Sequence, residues 1–473
     1  MFEFTDFIIL ELYKILSIKE FNAFLNVSLQ FKEYKKKLFI WNLHCKSSMK
    51  YLEDVDFYNH LNSLFYNGNT QLSIRTNCFH PEWVLTKLVN PIINIHKLCF
   101  VMLSYTITDD FIKKIENVQI LRLIRNYSLT NECCEHLGNI KTLHTLEIEC
   151  SSKITDEGIK HLGNIHTLKL QYINVTNEGI KHLGNCHTLD LRYNKNITDE
   201  GIKYLGKVKN LNLNHCNRIT QNCLQYLGNL HTLNLLECKC LTDDSLKYIS
   251  KVHTLHISWC EKVSDKGLKH LQSVHTLRIN YCNNIKNVSD LSKCYDLNLM
   301  GCNNVSDEGV KHLGNVYTLN LNCCDKLTDD SIKHLGNCHT LDLTRCKLIT
   351  NEGVKYLGKC HTLDLSACDK ITDEGIKFLG KCNELHLRWC NITDDCVKYL
   401  VNCHTLRISC KNISSNYVCL LDKVKYLTLY DADHIKKTVL RNIKSKVMIP
   451  YNTTDGDYYS DYYDSDEDDD EEN

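Results

Sequence analysis

No apolar run in this 473-residue chain approaches the ~18 residues that a membrane span needs. Residues 1–10 carry Glu3 and Asp6 and lack a basic stretch, so they do not read as a signal peptide, and a cytoplasmic location is expected. Sequons such as Asn196-Ile-Thr198 are then by-products of a recurring phrase. There is no phosphate loop, no H-E-x-x-H, no nucleophile elbow and no stretch left over for a separate catalytic domain. The chain therefore reads as a non-enzyme with no cofactor. None of its 27 cysteines stands in C-x-x-C spacing, which argues against zinc ribbons and RING-type metal sites. Alanine and proline occur three times each, while Asn, Lys, Ile and Tyr abound, the usage of an AT-rich genome.

What the chain has is one repeated sentence. Its clearest copy, from Cys360 to Leu379, reads C-H-T-L-D-L-S-A-C-D-K-I-T-D-E-G-I-K-F-L. Copies start at Leu146, Leu168, Leu189, Leu211, Leu233, Leu255, Leu277, Leu297, Leu319, Leu341, Leu363, Leu385, Leu406 and Leu427, mostly 22 residues apart. Looser copies start near Leu72, Leu98 and Leu121 and suit capping turns. In V-H-T-L-H-I-S-W-C, from Val252 to Cys260, Leu255 and Ile257 alternate with Thr254, His256 and Ser258, the period of a short strand. One unit cannot bury that face alone; stacked neighbours pair into a parallel sheet. In the second half Thr155, Thr198, Thr328 and Thr372 take the N-cap place, followed by acids that suit a helix start. Ile154 and Ile159 have the spacing of a hydrophobic staple.

The strand phrase resembles the cysteine-containing subclass of leucine-rich repeats, L-x-x-L-x-L-x-x-C, with Val252 or Cys360 in place of the first leucine. The resemblance implies an α/β solenoid, a horseshoe with a parallel concave sheet and short convex helices, that binds protein partners. Cys216, Cys238, Cys260, Cys282, Cys302, Cys324, Cys346, Cys368 and Cys390 share one repeat position. Cys186, Cys294, Cys338, Cys360, Cys382 and Cys403 alternate with Val, Ile and Leu at another, as buried thiols acting as small hydrophobes would. The recurrent histidines, from His144 to His404, give way to Tyr295, Tyr317 and Lys209, an exchange a metal ligand would not tolerate. They read as packing and backbone-bonding groups at the turn into the strand.

Four regions follow: 1–45 a helical module, 46–120 a linker with degenerate capping repeats, 121–449 the repeats, and 450–473 an acidic tail. Residues 8–41 read as short amphipathic helices with Leu12, Ile15 and Leu16 on one apolar face and Phe21, Phe24, Leu25 and Leu29 on another. This segment resembles an F-box, with Glu11-Leu12 and Ile15-Leu16 in the opening helix, Val27-Ser28 with Phe31 in the middle and Trp41 at the end. The alternative is an amphipathic cap on the first repeat. F-box followed by short T-D-E-G repeats is similar to the F-box/leucine-rich-repeat proteins encoded by giant DNA viruses of amoebae. That resemblance implies the substrate-recognition subunit of an SCF-type (cullin-RING) ubiquitin ligase, in the host cytoplasm if viral, with Leu12, Ile15, Leu16, Phe21, Phe24 and Leu25 holding a Skp1-like adaptor. The alternative is a repeat scaffold that binds or sequesters a host protein without a ligase.

Residues 451–473 carry eleven acids and no Lys or Arg, a composition expected to be disordered. Without them the chain has 56 basic against 46 acidic residues. Outward strand positions mix both signs and offer no continuous basic stripe for nucleic acid. Exposed aromatics and arginines there are the candidate target-binding residues. One row is Tyr172, Arg192, Tyr193, His215, Trp259, Arg278 and Tyr281; a second, more basic row is Arg345, His386, Arg388, Trp389 and Arg407, onto which the acidic tail is expected to fold back. Asp364 and His386 are expected to be exposed.

Overall fold

A computed structural model describes residues 107–449 apart from 114, 116–117, 239–240 and 444–445, and adds the backbone of three strands before them. The helix-forming part of the F-box-like segment and the acidic tail lie outside the described residues. The chain divides into two units, Met1–Asn196 and Ile197–Asn473. In the first, the strands are β1 (Phe39–Leu43), β2 (Thr70–Thr76), β3 (Lys97–Val101), β4 (Ile120–Ile124), β5 (Thr145–Glu149), β6 (Thr167–Gln171) and β7 (Thr188–Asp190). The second begins with β8 (Asn210–Asn212), β9 (Thr232–Asn234), β10 (Thr254–His256), β11 (Thr276–Arg278), β12 (Asp296–Asn298) and β13 (Thr318–Asn320). It continues with β14 (Thr340–Asp342), β15 (Thr362–Asp364), β16 (Glu384–Leu387), β17 (Thr405–Ser409), β18 (Tyr426–Tyr430) and β19 (Lys446–Met448).

Within each unit every strand pairs in parallel with the next in the chain, and the repeat leucines lie opposite one another. Leu121, Leu146, Leu168 and Leu189 form one column. Leu211, Leu233, Leu255 and Leu277 begin another that continues to Leu427. Leu255, Ile257, Leu277, Ile279, Leu363 and Leu365 are fully buried, as the alternation predicts. This is a leucine-rich-repeat solenoid, a parallel sheet backed by short helices. One reading needs correction: 39–41, taken as the end of a helical segment, belongs to β1, where Trp41 pairs opposite Leu72. The run F-I-W is rich in aromatic and β-branched residues that favour strands, and the edge of β2 supplies the backbone partners.

The helical side is built from turns such as Asn177–Ile180 and Asn351–Val354, with Thr176 and Thr350 as N-caps. The acid that opens each turn does more than complement the helix start. Asp156 Oδ1 accepts the Thr176 N–H at 2.7 Å and Oδ2 accepts the Thr176 hydroxyl at 2.6 Å. Asp329 does the same for Thr350 at 2.8 and 2.6 Å. The Thr350 hydroxyl in turn accepts the N–H of Glu352, so each clamp ties the cap of one repeat to the first turn of the one before. The glycine of T-D-E-G permits that approach: a Cβ on Gly353 would come within 2.4 Å of Asp329 Oδ1.

The cysteines of the two repeat positions are buried, apart from half-buried Cys390, but not merely apolar. Cys238, Cys302, Cys346, Cys368 and Cys390 each donate a thiol hydrogen bond, at 3.1–3.2 Å, to the carbonyl just past the strand of the preceding repeat. In the first unit Asn194 gives its amide to the carbonyls of Leu170 and Leu191 from the same repeat position. The thiol is thus a compact substitute for an amide donor, adding a second bond to carbonyls that mostly already accept a backbone N–H, as Leu343 O accepts from Cys346. Burial pushes the thiols of Cys302 and Cys390 up to about 12.

Candidate functional site

Counting from each repeat leucine as position 0, an Asp or Asn at +1 ends the strand early, although β10 and β11, with His256 and Arg278 there, also stop after three residues. The side-chain oxygen of that Asp or Asn turns back to accept the N–H at +3. Asn212, Asn320, Asp342 and Asp364 do this at 2.8–3.0 Å. All those strands stop after three residues, whereas β4, β5 and β6, with Arg122, Glu147 and Lys169 at +1, run for five. This is an Asx-turn competing with the sheet ladder.

The chain then enters the left-handed region at +4. Arg125, Cys150, Tyr172 and Tyr193 do so in the first unit, and His215, Glu237, Trp259, Tyr281, Cys323, Arg345, Ala367, Trp389 and Asp431 in the second, with φ between 51 and 64°. Gly301, at φ 69°, is the one glycine in the series. Most of these amides are pinned to the next repeat, as Trp259 N–H is to Asn280 O at 2.9 Å and Arg345 N–H to Ser366 O at 2.8 Å. Seven of the twelve predicted target-binding residues stand at this position: Tyr172, Tyr193, His215, Trp259, Tyr281, Arg345 and Trp389. Arg278, His386 and Arg407 stand at +1, and Arg192 and Arg388 at +3.

In the first unit Tyr172 stacks on Tyr193 with ring centres 4.2 Å apart. Burial, followed by the Tyr193 hydroxyl, pushes the Tyr172 phenol up to about 12. Arg192 is engaged by Asp190 at 2.7 Å. In the second unit Trp259 stacks on Tyr281 at 4.3 Å. Beyond it the missing Cβ of Gly301 makes room for Tyr281, whose ring would lie 2.3 Å from it. Trp259 remains 45% exposed. His215 Nδ1 lies 3.0 Å from Glu237. Arg278 neighbours His256, whose imidazole is pushed down to about 3 by burial and then by that guanidinium.

The second row differs from its expectation. His386 and Asp364 are mostly buried, their side chains 15% and 22% exposed, because each shields the other at 2.9 Å. His386 Nε2 also meets Glu384 at 3.1 Å. Burial opposes the charge on both, but their mutual bond outweighs it: the Asp364 carboxyl is held below its usual value and the His386 imidazole above. Next to them Asp342 is raised to about 6, first by burial and then by Asp364. The row is therefore a mixed cluster and not a basic one. Sequence reasoning took Asp342 only as one outward acid among several and passed over Glu384 and Tyr430; the signal available was T-L-D in successive repeats. Arg388 rests against the rings of Trp389 and Tyr430, at 3.9 and 4.4 Å.

The histidine column behaves as a packing device. His231, His253, His275, Tyr295, Tyr317, His339 and His361 stack in series, with ring centres 4.4–4.8 Å apart. His253 Nδ1 lies 3.3 Å from the Thr254 hydroxyl.

The family described as Leucine Rich repeat matches residues 187–206, 248–271, 339–358, 361–380 and 383–401. Among solved structures the chain is similar to an internalin, InlF, from Listeria monocytogenes. The two are 16% identical with a TM-score of 0.46, over 63% of this chain and 88% of that one. It is also similar to a chain of the yeast Rad7 and Elc1 complex, at 17% identity and TM-score 0.42, over 67% of this chain and 86% of that one. A third likeness is to a chain of the TLR13–ssRNA13 complex, at 17% identity and TM-score 0.49, over 80% and 67%. No curated protein matches.

Proposed function

We propose that this chain is a non-enzymatic protein-binding scaffold and, within that class, the substrate-recognition subunit of an SCF-type ubiquitin ligase. The left-handed column carries the first part. A backbone conformation that glycine takes freely is given to Arg and Tyr in the first unit and to Tyr, Trp, Arg and His in the second, eight of the thirteen non-glycine residues that adopt it, at a cost of about 1–3 kcal/mol each for a non-glycine residue. Tyr, Trp and Arg are also the side chains that dominate interface energies. Displaying them, together with His215, at the ends of eight strands is a use for which the strain is a reasonable cost.

The ligase part is supported by the F-box resemblance of residues 8–41. Leu12, Ile15, Leu16, Phe21, Phe24 and Leu25 would hold the adaptor, other subunits would do the chemistry, and this chain would supply proximity. The alternative is a scaffold that sequesters a host protein without a ligase. The separating experiment is retention of a purified eukaryotic Skp1. Wild-type protein should retain it, and Leu12→Asp with Ile15→Asp should abolish retention while leaving the melting temperature of the repeats unchanged. Failure of the wild type to retain Skp1 removes the ligase reading and leaves the scaffold. The scaffold reading is tested separately: Trp259→Ala with Trp389→Ala should remove proteins that co-purify with the wild type, and an unchanged set of co-purifying proteins would refute it.

A further inference from the structure

Arg388 stands at +3 of its repeat and reaches to Tyr430, at +3 of the second repeat onward. The residue at that position in between is Ser409, small enough to allow the reach. Trp389 and Tyr430 hold the guanidinium against their rings, which fixes its plane. Among the described residues no Asp or Glu forms an ion pair with Arg388 or with the exposed Arg407 one strand away, and Arg388 Nε is buried without a hydrogen-bond partner. The neighbouring acids are occupied: Asp364 and Glu384 hold His386, and Asp431 accepts the Ser409 hydroxyl. A guanidinium fixed in orientation and left without a counter-ion is prepared for a carboxylate.

We propose that Arg388, with Arg407 on the next strand opposite His386, anchors a carboxylate-binding site whose occupant in the free chain is the acidic segment 451–473 of the same chain. The segment follows β19 almost directly and carries eleven Asp and Glu. Residues 381–449 carry twelve Lys and Arg against six Asp and Glu, so the charges are complementary. The distance is short: three strand spacings separate β19 from β16, about 15 Å, while 23 extended residues span about 75 Å. The inference deepens the reading of the strand face as a binding surface and rests on it, but its test needs neither Skp1 nor a target.

The experiment uses the full chain and a fluorescent hexaglutamate probe. Neutralising the eleven acids of 451–473 (Asp→Asn, Glu→Gln) should strengthen probe binding about tenfold at low salt, because a tethered competitor is removed. The difference should shrink at high salt. Adding Arg388→Gln to the neutralised chain should return binding to the weak level, and Arg388→Lys should only partly retain it because the planar fork is lost. Equal probe affinity for the native and neutralised chains would overturn the occupant and point to an acidic segment of another protein. Unchanged binding by Arg388→Gln would overturn the anchor.

Discussion

Two residues on the strand face are held in protonation states that cost stability, in opposite pH ranges. His256 has its folded value pushed down to about 3 from 6.5. As pH falls below 6.5 the unfolded chain takes up a proton that the folded chain refuses, and stability drops by about 1.4 kcal/mol per unit. Urea melts at pH 8 and pH 5 should therefore differ by up to about 2 kcal/mol from this group. His256→Asn should remove that contribution, since Asn234 already occupies the same column. Asp342 is raised to about 6 from 3.8. A raised acid favours the folded state below pH 3.8 and loses that advantage as pH rises through 6, so ionised Asp342 weakens the fold at neutral pH. Asp342→Asn should then remove a loss of about 1–3 kcal/mol between pH 4 and pH 7.5, offset by the Asn320 amide hydrogen bond that Asp342 Oδ2 accepts at 2.9 Å. An unchanged fall in stability from pH 4 to pH 7.5 in that variant would contradict the reading that burial, and then Asp364, raises the Asp342 carboxyl. The sequence showed these side chains only as outward-facing: alternation says which face a residue takes, and stacking at strand spacing decides how deeply its neighbours cover it.

The helical turns are too short to hold themselves, since four residues complete almost none of their own hydrogen bonds. Their stability comes from the repeat before, through the clamp of Asp329 on Thr350. Asp329→Ala should cost about 2–3 kcal/mol, the loss of two hydrogen bonds with one charged partner. Asp329→Asn should cost much less, because Asn351 already makes the same clamp on Thr372, accepting its N–H at 3.0 Å and donating to its hydroxyl at 2.8 Å. A double-mutant cycle with Thr350→Val should show coupling of about 1 kcal/mol or more. Additive losses would mean that Asp329 acts only on its own helix start. The T-D-E-G phrase made the N-cap threonines legible, and those caps are where they were expected. It did not disclose the clamp, because the bond runs across 21 residues of chain and appears only once neighbouring repeats are in register. Strand length was hidden likewise: the hydrophobic pattern is the same in β6 and β8, yet one runs for five residues and the other, with Asn212 at +1, for three.

At the scale of the whole chain the 22-residue period was enough to identify the solenoid, since a unit that cannot bury its own leucines has to stack them. The binding rows were legible as residue types but not as a column. Nothing in the alternation reveals that Tyr172, Trp259 and Trp389 share a left-handed backbone, nor that Arg388 finds Tyr430 two repeats onward. The same one-dimensional construction governs how damage spreads, because each repeat is supported by its two neighbours and by little else. Leu365 is fully buried in the second unit, and Leu365→Asp would place an unpaired charge among apolar side chains at a cost of several kcal/mol. Without a single central core to absorb the loss, amide protection should vanish first in β14, β15 and β16 and persist longer in β9 and β10 of the same unit. Hydrogen exchange followed peptide by peptide would show this gradient. A uniform loss of protection from β8 to β18 would mean that the unit unfolds as one block, and a melting temperature equal to wild type would place Leu365 outside the core altogether.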